Sequence, residues 1–161
     1  MKKAILFLSI LVASGLTIVT VYNSLVDARS WNSDIPTSIQ AARDYYKHVD
    51  PRLFYLIIGP PNFLLSILTI ILFWKDGVAL RVYFTISLVC YVAIVVLTLT
   101  YFVPRDLIIF TWPLQEHLNE IRAATAQWNQ MNWIRTLLGL AGVSGSFKGL
   151  DTYYRTRVLS K

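Results

Sequence analysis

Residues 4–22, 53–74 and 82–103 contain no charged side chain. About twenty consecutive apolar residues suffice for a helix to cross the hydrocarbon core of a bilayer. Lipid offers the backbone no hydrogen-bonding partner, so a crossing segment must satisfy its own amides, and a helix does this within one segment. The sequence therefore predicts an all-α integral membrane protein. Composition supports this: charged residues are 15% of the chain, against about 25% in ordinary soluble domains. A fourth span is predicted over 128–147. Its apolar part, 133–147, is too short to cross alone, so the span is expected to start further back, with Trp128 near the interface. Four spans make one domain, residues 1–161, folded as an antiparallel four-helix bundle with two helical polar segments, 26–50 and 107–130, on the outer side.

The first run follows Met-Lys-Lys and could imitate a secretory signal, but it continues to Val21, past the length of a signal core, and is read as a retained span. In the polar segment after it, residues 36–48 read as a short helix. Asp34 would cap it, with Ile39, Ala42, Tyr46 and Val49 on an apolar face. Trp31, Tyr45 and Tyr46 suit the headgroup level. The second run holds Gly59-Pro60-Pro61-Asn62, and two missing donors predict a kink or break. Such a site is either capped by neighbouring groups or opens a cavity, where Asn62 would be an available donor. Lys75-Asp76-Gly77 is short enough to force an antiparallel return, and Pro104-Arg105-Asp106 is expected to stop the third span.

From a helix start at Pro113, steps of three and four give Leu118, Ile121, Thr125, Trp128, Asn132, Arg135, Gly139, Gly142 and Ser146. That spacing is the seven-residue repeat of packed helices. Its middle carries an indole, a carboxamide and a guanidinium. A charge at membrane depth costs on the order of 3 kcal/mol, so Arg135 is expected to face the bundle interior or water. No acid lies within the apolar spans to pair with it. Its partners would be carbonyls freed near Pro60 and Pro61, a hydroxyl such as Tyr22, water, or an oxygen-rich or anionic ligand; the alternative is a side chain that snorkels to the interface. Gly139, Gly142 and Gly145 recur every three residues and would let another backbone approach, as in a homo-oligomer or a complex with a membrane partner.

The net charge of +6 does not indicate nucleic acid. Lys2, Lys3, Lys75, Arg81, Lys148, Arg155, Arg157 and Lys161 all lie at segment ends that share one side, as topology signals beside anionic lipid do. Lys and Arg divide almost evenly between the two sides, and the Lys-Lys start places both termini in the cytoplasm, in an inner (plasma) membrane. Cys90 is the only cysteine, which excludes an internal disulfide or a CxxC centre. Asp44 with His48, and His117 with Glu120, are spaced to share helix faces. If the two pairs met they would make a nitrogen/oxygen site for a transition metal, the alternative to a cofactor-free protein. The sequence contains no nucleophile elbow, phosphate loop or dinucleotide fingerprint.

The stretch Trp128-x-x-x-Asn132-x-x-Arg135 resembles that of a family of small four-span membrane proteins that includes the anthrone oxygenases. The layout is similar too: a Lys-led first span ending near Tyr22-Asn23-Ser24, an outer helical segment, a proline-interrupted second span, and a third closing in Phe102-x-Pro104. The resemblance implies cofactor-independent oxygenation in an apolar cavity that binds a lipophilic, oxygen-bearing aromatic or quinone-like molecule. Asn132 and Arg135 would face its oxygens as donors, His117 or His48 would be the base, and Trp128, Asn62, Tyr22 and His48 would complete the lining. Two other readings stay open. One is a non-enzymatic accessory subunit of a membrane complex, docked through the glycine stripe. The other is a metal-dependent enzyme using Asp44, His48, His117 and Glu120.

Overall fold

The computed structural model describes residues 1–159, with side chains to residue 157. Lys161 of the basic tail lies outside the described residues. Helix α1 (Lys2–Tyr22) passes through a π turn (Asn23–Asp27) into α2 (Ala28–Trp31). The short α3 (Thr37–Tyr46) follows, then α4 (Arg52–Phe73). Helix α5 (Val78–Leu97) passes through a second π turn (Thr98–Phe102) into α6 (Val103–Thr111). The chain ends in α7 (Leu118–Leu159), 42 residues and roughly 63 Å at 1.5 Å per residue. The chain is all-helical, as the charge-free runs require. Among the described residues, three helical stretches are long and apolar enough to cross a membrane: Lys2–Trp31, Arg52–Phe73 and Val78–Thr111.

Packing closes the long helices on one another. Helix α7 lies along α1 and α5, α1 along α4, and α4 along α5. The α4–α5 turn relies on Gly77, whose φ of 135° is open to glycine and costly for any side chain. Lys2 Nζ binds Asp76 Oδ2 at 2.9 Å, which ties the start of α1 to this turn and makes α1 and α4 antiparallel. The distribution of side chains is inverted relative to a water-soluble bundle. Leu11, Ile18, Leu56, Ile57, Ile71, Val89 and Leu137 lie on the outside, while Ser9, Thr17, Thr20, Ser66, Thr69 and Ser87 are buried. The inward hydroxyls are satisfied locally: Thr17 Oγ1 donates to Ala13 O and Ser66 Oγ to Asn62 O, each at 2.8 Å. An apolar exterior around a small-residue, hydroxyl-lined interior is the arrangement expected of a membrane-embedded bundle.

Several expectations are corrected. The double proline does not break α4, which runs helical through Pro60 and Pro61. The two missing donors are adjacent, so the ladder is interrupted once and resumes at Asn62. Nor does Pro104 stop the third run. It enters α6 directly after the π turn, in the first turn of a helix where its missing N–H has no partner to lose. Helix α7 begins at Leu118, not at Pro113. Trp112, ahead of a proline, is extended (ψ 147°), so residues 113–117 form a separate turn in which His117 N donates to Pro113 O at 3.2 Å. In α3, Ile39 is buried and Ala42 and Tyr46 pack inward, but Val49 lies beyond the helix and is exposed. Asp34 contributes its backbone rather than its side chain, accepting from Ser38 N at 2.8 Å.

The glycine stripe makes close approaches within the chain. A Cβ on Gly139 would stand 2.8 Å from Thr17 Oγ1, on Gly142 2.6 Å from the Tyr91 ring, and on Gly145 2.7 Å from Ser87 Oγ. These glycines let α1 and α5 approach α7.

Candidate functional site

The polar middle of α7 points inward. Arg135 is 5% exposed and Asn132 0%, one turn apart on the face that meets α1. The Arg135 guanidinium lies against three aromatic rings, with its central carbon 4.2 Å from the centroid of Phe102, 5.4 Å from Trp128 and 5.9 Å from Tyr55. These quadrupolar faces offset part of the cost of a buried cation. They do not saturate its donors: Nε and Nη2 are buried and bond to no described group. Among the described residues Arg135 enters no ion pair within 4.0 Å. It is oriented to the interior and does not snorkel.

Asn132 is used differently from the expectation. Its Nδ2 donates to Thr20 O at 2.9 Å and to Ser24 Oγ at 2.6 Å, so the amide hydrogens are committed to α1 and its π turn. What remains is Oδ1, buried and unpartnered. Of this pair, Asn132 offers the interior an acceptor and Arg135 offers donors. One turn on, Thr136 Oγ1 reaches Thr20 Oγ1 at 3.3 Å and continues the seam.

Both π turns abut this region. The first carries Ser24, and the second carries Phe102, whose ring stacks on Arg135. A π turn inserts one residue and rotates all that follows by about 100°, and such insertions recur at functional sites. Beyond the second turn, α6 brings in an acid that sequence reasoning did not assign. Trp128 Nε1 donates to Asp106 Oδ1 at 2.8 Å. Asp106 lies outside the apolar spans and reaches Trp128 rather than Arg135; it was not assigned because it follows a proline read as a helix stop. The signal that would have found it is i, i+4 spacing from Phe102, which puts both on one helix face.

The end of the bundle that carries α3 is closed by aromatic packing. Trp31 stands edge-on to Trp128 (5.0 Å) and Phe110 (5.2 Å), and Tyr46 to Phe110 (5.4 Å). Arg43 on α3 donates from Nε to Ile109 O at 2.9 Å, pinning α3 over α6. Burial in this layer raises the Tyr46 hydroxyl well above its usual pKa. On the α4 side, Tyr55 hydrogen-bonds Asn23 at 2.5 Å. With the Asn23 amide turned to suit its neighbours, it accepts from Tyr55 and donates to Asp27 Oδ2 at 2.9 Å.

The other expected site residues do not join. Tyr22 is 53% exposed on the outside of α1. His48 is exposed just beyond α3. His117 stands edge-on to Trp112 (4.8 Å) beside Glu120 (3.7 Å), just ahead of α7 and roughly 25 Å along that helix from Arg135. Asn62 is buried with Oδ1 unpartnered, but it lies two turns along α4 from Tyr55, roughly 10 Å. Asp44 is engaged by Lys47 (2.6 Å) and Gln40 (3.0 Å), which hold its carboxyl below the usual range. Among the described residues no three His, Cys, Asp or Glu side chains are placed to hold a metal ion. The Asp44, His48, His117 and Glu120 set does not assemble, because its members are distributed over two separate helix ends.

Compared with known proteins, the chain matches the family model described as Anthrone oxygenase over residues 52–145. That stretch contains Tyr55, Phe102, Asp106, Trp128, Asn132 and Arg135. No curated protein and no solved structure matches.

Proposed function

This chain belongs to the anthrone oxygenase family, and from that premise we propose that it is a cofactor-independent membrane oxygenase acting on a lipophilic aromatic ketone. The observation that carries the reading is Arg135: a guanidinium buried among aromatic rings with two N–H-bearing nitrogens unpartnered. Such donors are costly to bury without a partner, and a ligand oxygen would supply one. A carbonyl placed there would gain most when charge develops on it. Loss of a proton from the ring methylene opposite the carbonyl, conjugated with it through the fused aromatic rings, gives an enolate whose oxygen accepts from Arg135. Dioxygen then adds to the carbanion carbon, and loss of water gives the quinone: one ketone and one dioxygen yield one quinone and one water. Phe102, Trp128 and Tyr55 supply flat walls for the ring system, and Asn132 Oδ1 an acceptor for a phenolic hydroxyl.

In this reading α7 provides the fourth span of an antiparallel four-span bundle in a bacterial inner membrane. The basic residues near Lys2, Lys3, Lys148 and Arg155 lie beside anionic lipid on the cytoplasmic side. The test is oxygen uptake by the purified chain in nanodiscs supplied with anthrone. Uptake above that of heat-denatured protein, with anthraquinone as product and loss of both in Arg135→Ala, supports the assignment. A wild-type rate equal to the denatured control rejects it.

A further inference from the structure

We propose that Asp106 is the base that takes the proton from the substrate carbon. The assignment rests on the oxygenase reading above and names a group that the reading leaves open. A base must lie within hydrogen-bond reach of its proton. The two histidines are excluded by position, one exposed beyond α3 and the other roughly 25 Å along α7 from Arg135. Asp106 is the carboxylate that α6 carries to the ring cluster.

Its geometry divides the two oxygens. Oδ1 is held by Trp128 Nε1 at 2.8 Å, which fixes the carboxylate plane. Among the described residues no hydrogen bond reaches Oδ2. The same indole has Asp106 at its N–H edge and the Arg135 guanidinium 5.4 Å from its ring centroid. Trp128 is therefore a spacer between anion and cation. Direct contact would quench both in a salt bridge, whereas held apart they can act on two ends of one substrate. The step balances in charge and atoms. The C–H bond breaks and its proton goes to Asp106 Oδ2. The bonding pair delocalises into the carbonyl, and the resulting enolate oxygen accepts from Arg135 Nε and Nη2. The negative charge moves from beside the indole edge to beside the guanidinium, where unpartnered donors meet it.

Proton removal can be read without oxygen chemistry. Under anaerobic conditions in D2O, the full chain in nanodiscs should catalyse deuterium entry at the methylene of anthrone. Asp106→Asn should lower that exchange by at least about 100-fold while binding of anthraquinone changes by less than about threefold, since an amide oxygen can still accept from Trp128. Asp106→Ala should be equally slow and regain exchange with added formate but not chloride, a rescue that a purely structural role would not show. This variant also decides the matter if the Asn protein is unstable. Wild-type exchange in Asp106→Asn, or absence of formate rescue, overturns the assignment. So does a wild type that binds anthraquinone without exchanging anthrone. A wild type that neither binds nor exchanges rejects the oxygenase reading itself, and this base with it.

Discussion

Gly145→Ala tests whether the α7 glycines bind this chain to itself or to something else. The added methyl would stand 2.7 Å from Ser87 Oγ and 3.0 Å from Tyr83 O. Both distances fall short of ordinary carbon–oxygen contact by roughly half an ångström. The carbonyl belongs to the α5 backbone and cannot turn away. Ser87 can, but its hydroxyl now donates to Gly142 O at 2.7 Å and receives Ser146 Oγ at 3.0 Å. Overpacking costs about 2 kcal/mol and the disturbed hydroxyl contacts about 1 kcal/mol more. Replacing glycine within a helix returns about 1 kcal/mol. The expected net loss is about 2 kcal/mol, or about 4–8 °C in Tm for a chain of this size. Gly15→Ala in α1 is the control, because nothing lies within 4 Å of its added methyl; it should gain up to about 1 kcal/mol. The assay is thermal unfolding in one mild detergent, with size-exclusion chromatography recording the number of copies. A Gly145→Ala protein as stable as wild type, but changed in oligomeric state, would show that the stripe is intermolecular and that the packing argument fails.

Arg135→Met keeps the volume and removes the buried charge. Tm should hold or rise, since such replacements relieve desolvation, while oxygen uptake with anthrone falls to background; retained uptake refutes the role. Trp128→Phe deletes the Asp106 donor and should cost about 1.5–3 kcal/mol, the range for a hydrogen bond to a charged group. An unchanged Tm would mean that this bond carries no weight. His117→Gln, far along α7, should leave oxygen uptake within about twofold of wild type, and a loss beyond tenfold would return the histidine to the site against the helix-length argument.

The inward face of α7 was legible in one dimension. Trp128, Asn132 and Arg135 recur at helical spacing between apolar and small residues, and periodicity alone brings them to one side. Their partners were not legible. Asp106 follows Pro104, and local propensity reads proline as an end, although a proline in the first turn of a new helix loses nothing. The Asn132 donors were expected to meet a ligand. They meet Thr20 O and Ser24 Oγ because α1 widens into a π turn opposite them, a feature no spacing rule announces.

The sequence by itself determined that this chain lies in a membrane as helices, because charge-free runs of that length have no other way to satisfy their amides in lipid. It also determined which α7 residues share a face. Only the tertiary structure decided what each face meets: that the glycines receive Thr17, Tyr91 and Ser87 of the same chain, and that the indole of Trp128 stands between Asp106 and Arg135. The physical reason is that hydropathy and period are properties of a single helix. Contacts depend on the rotation of one helix against another, and two π turns reset that rotation just where the site is built.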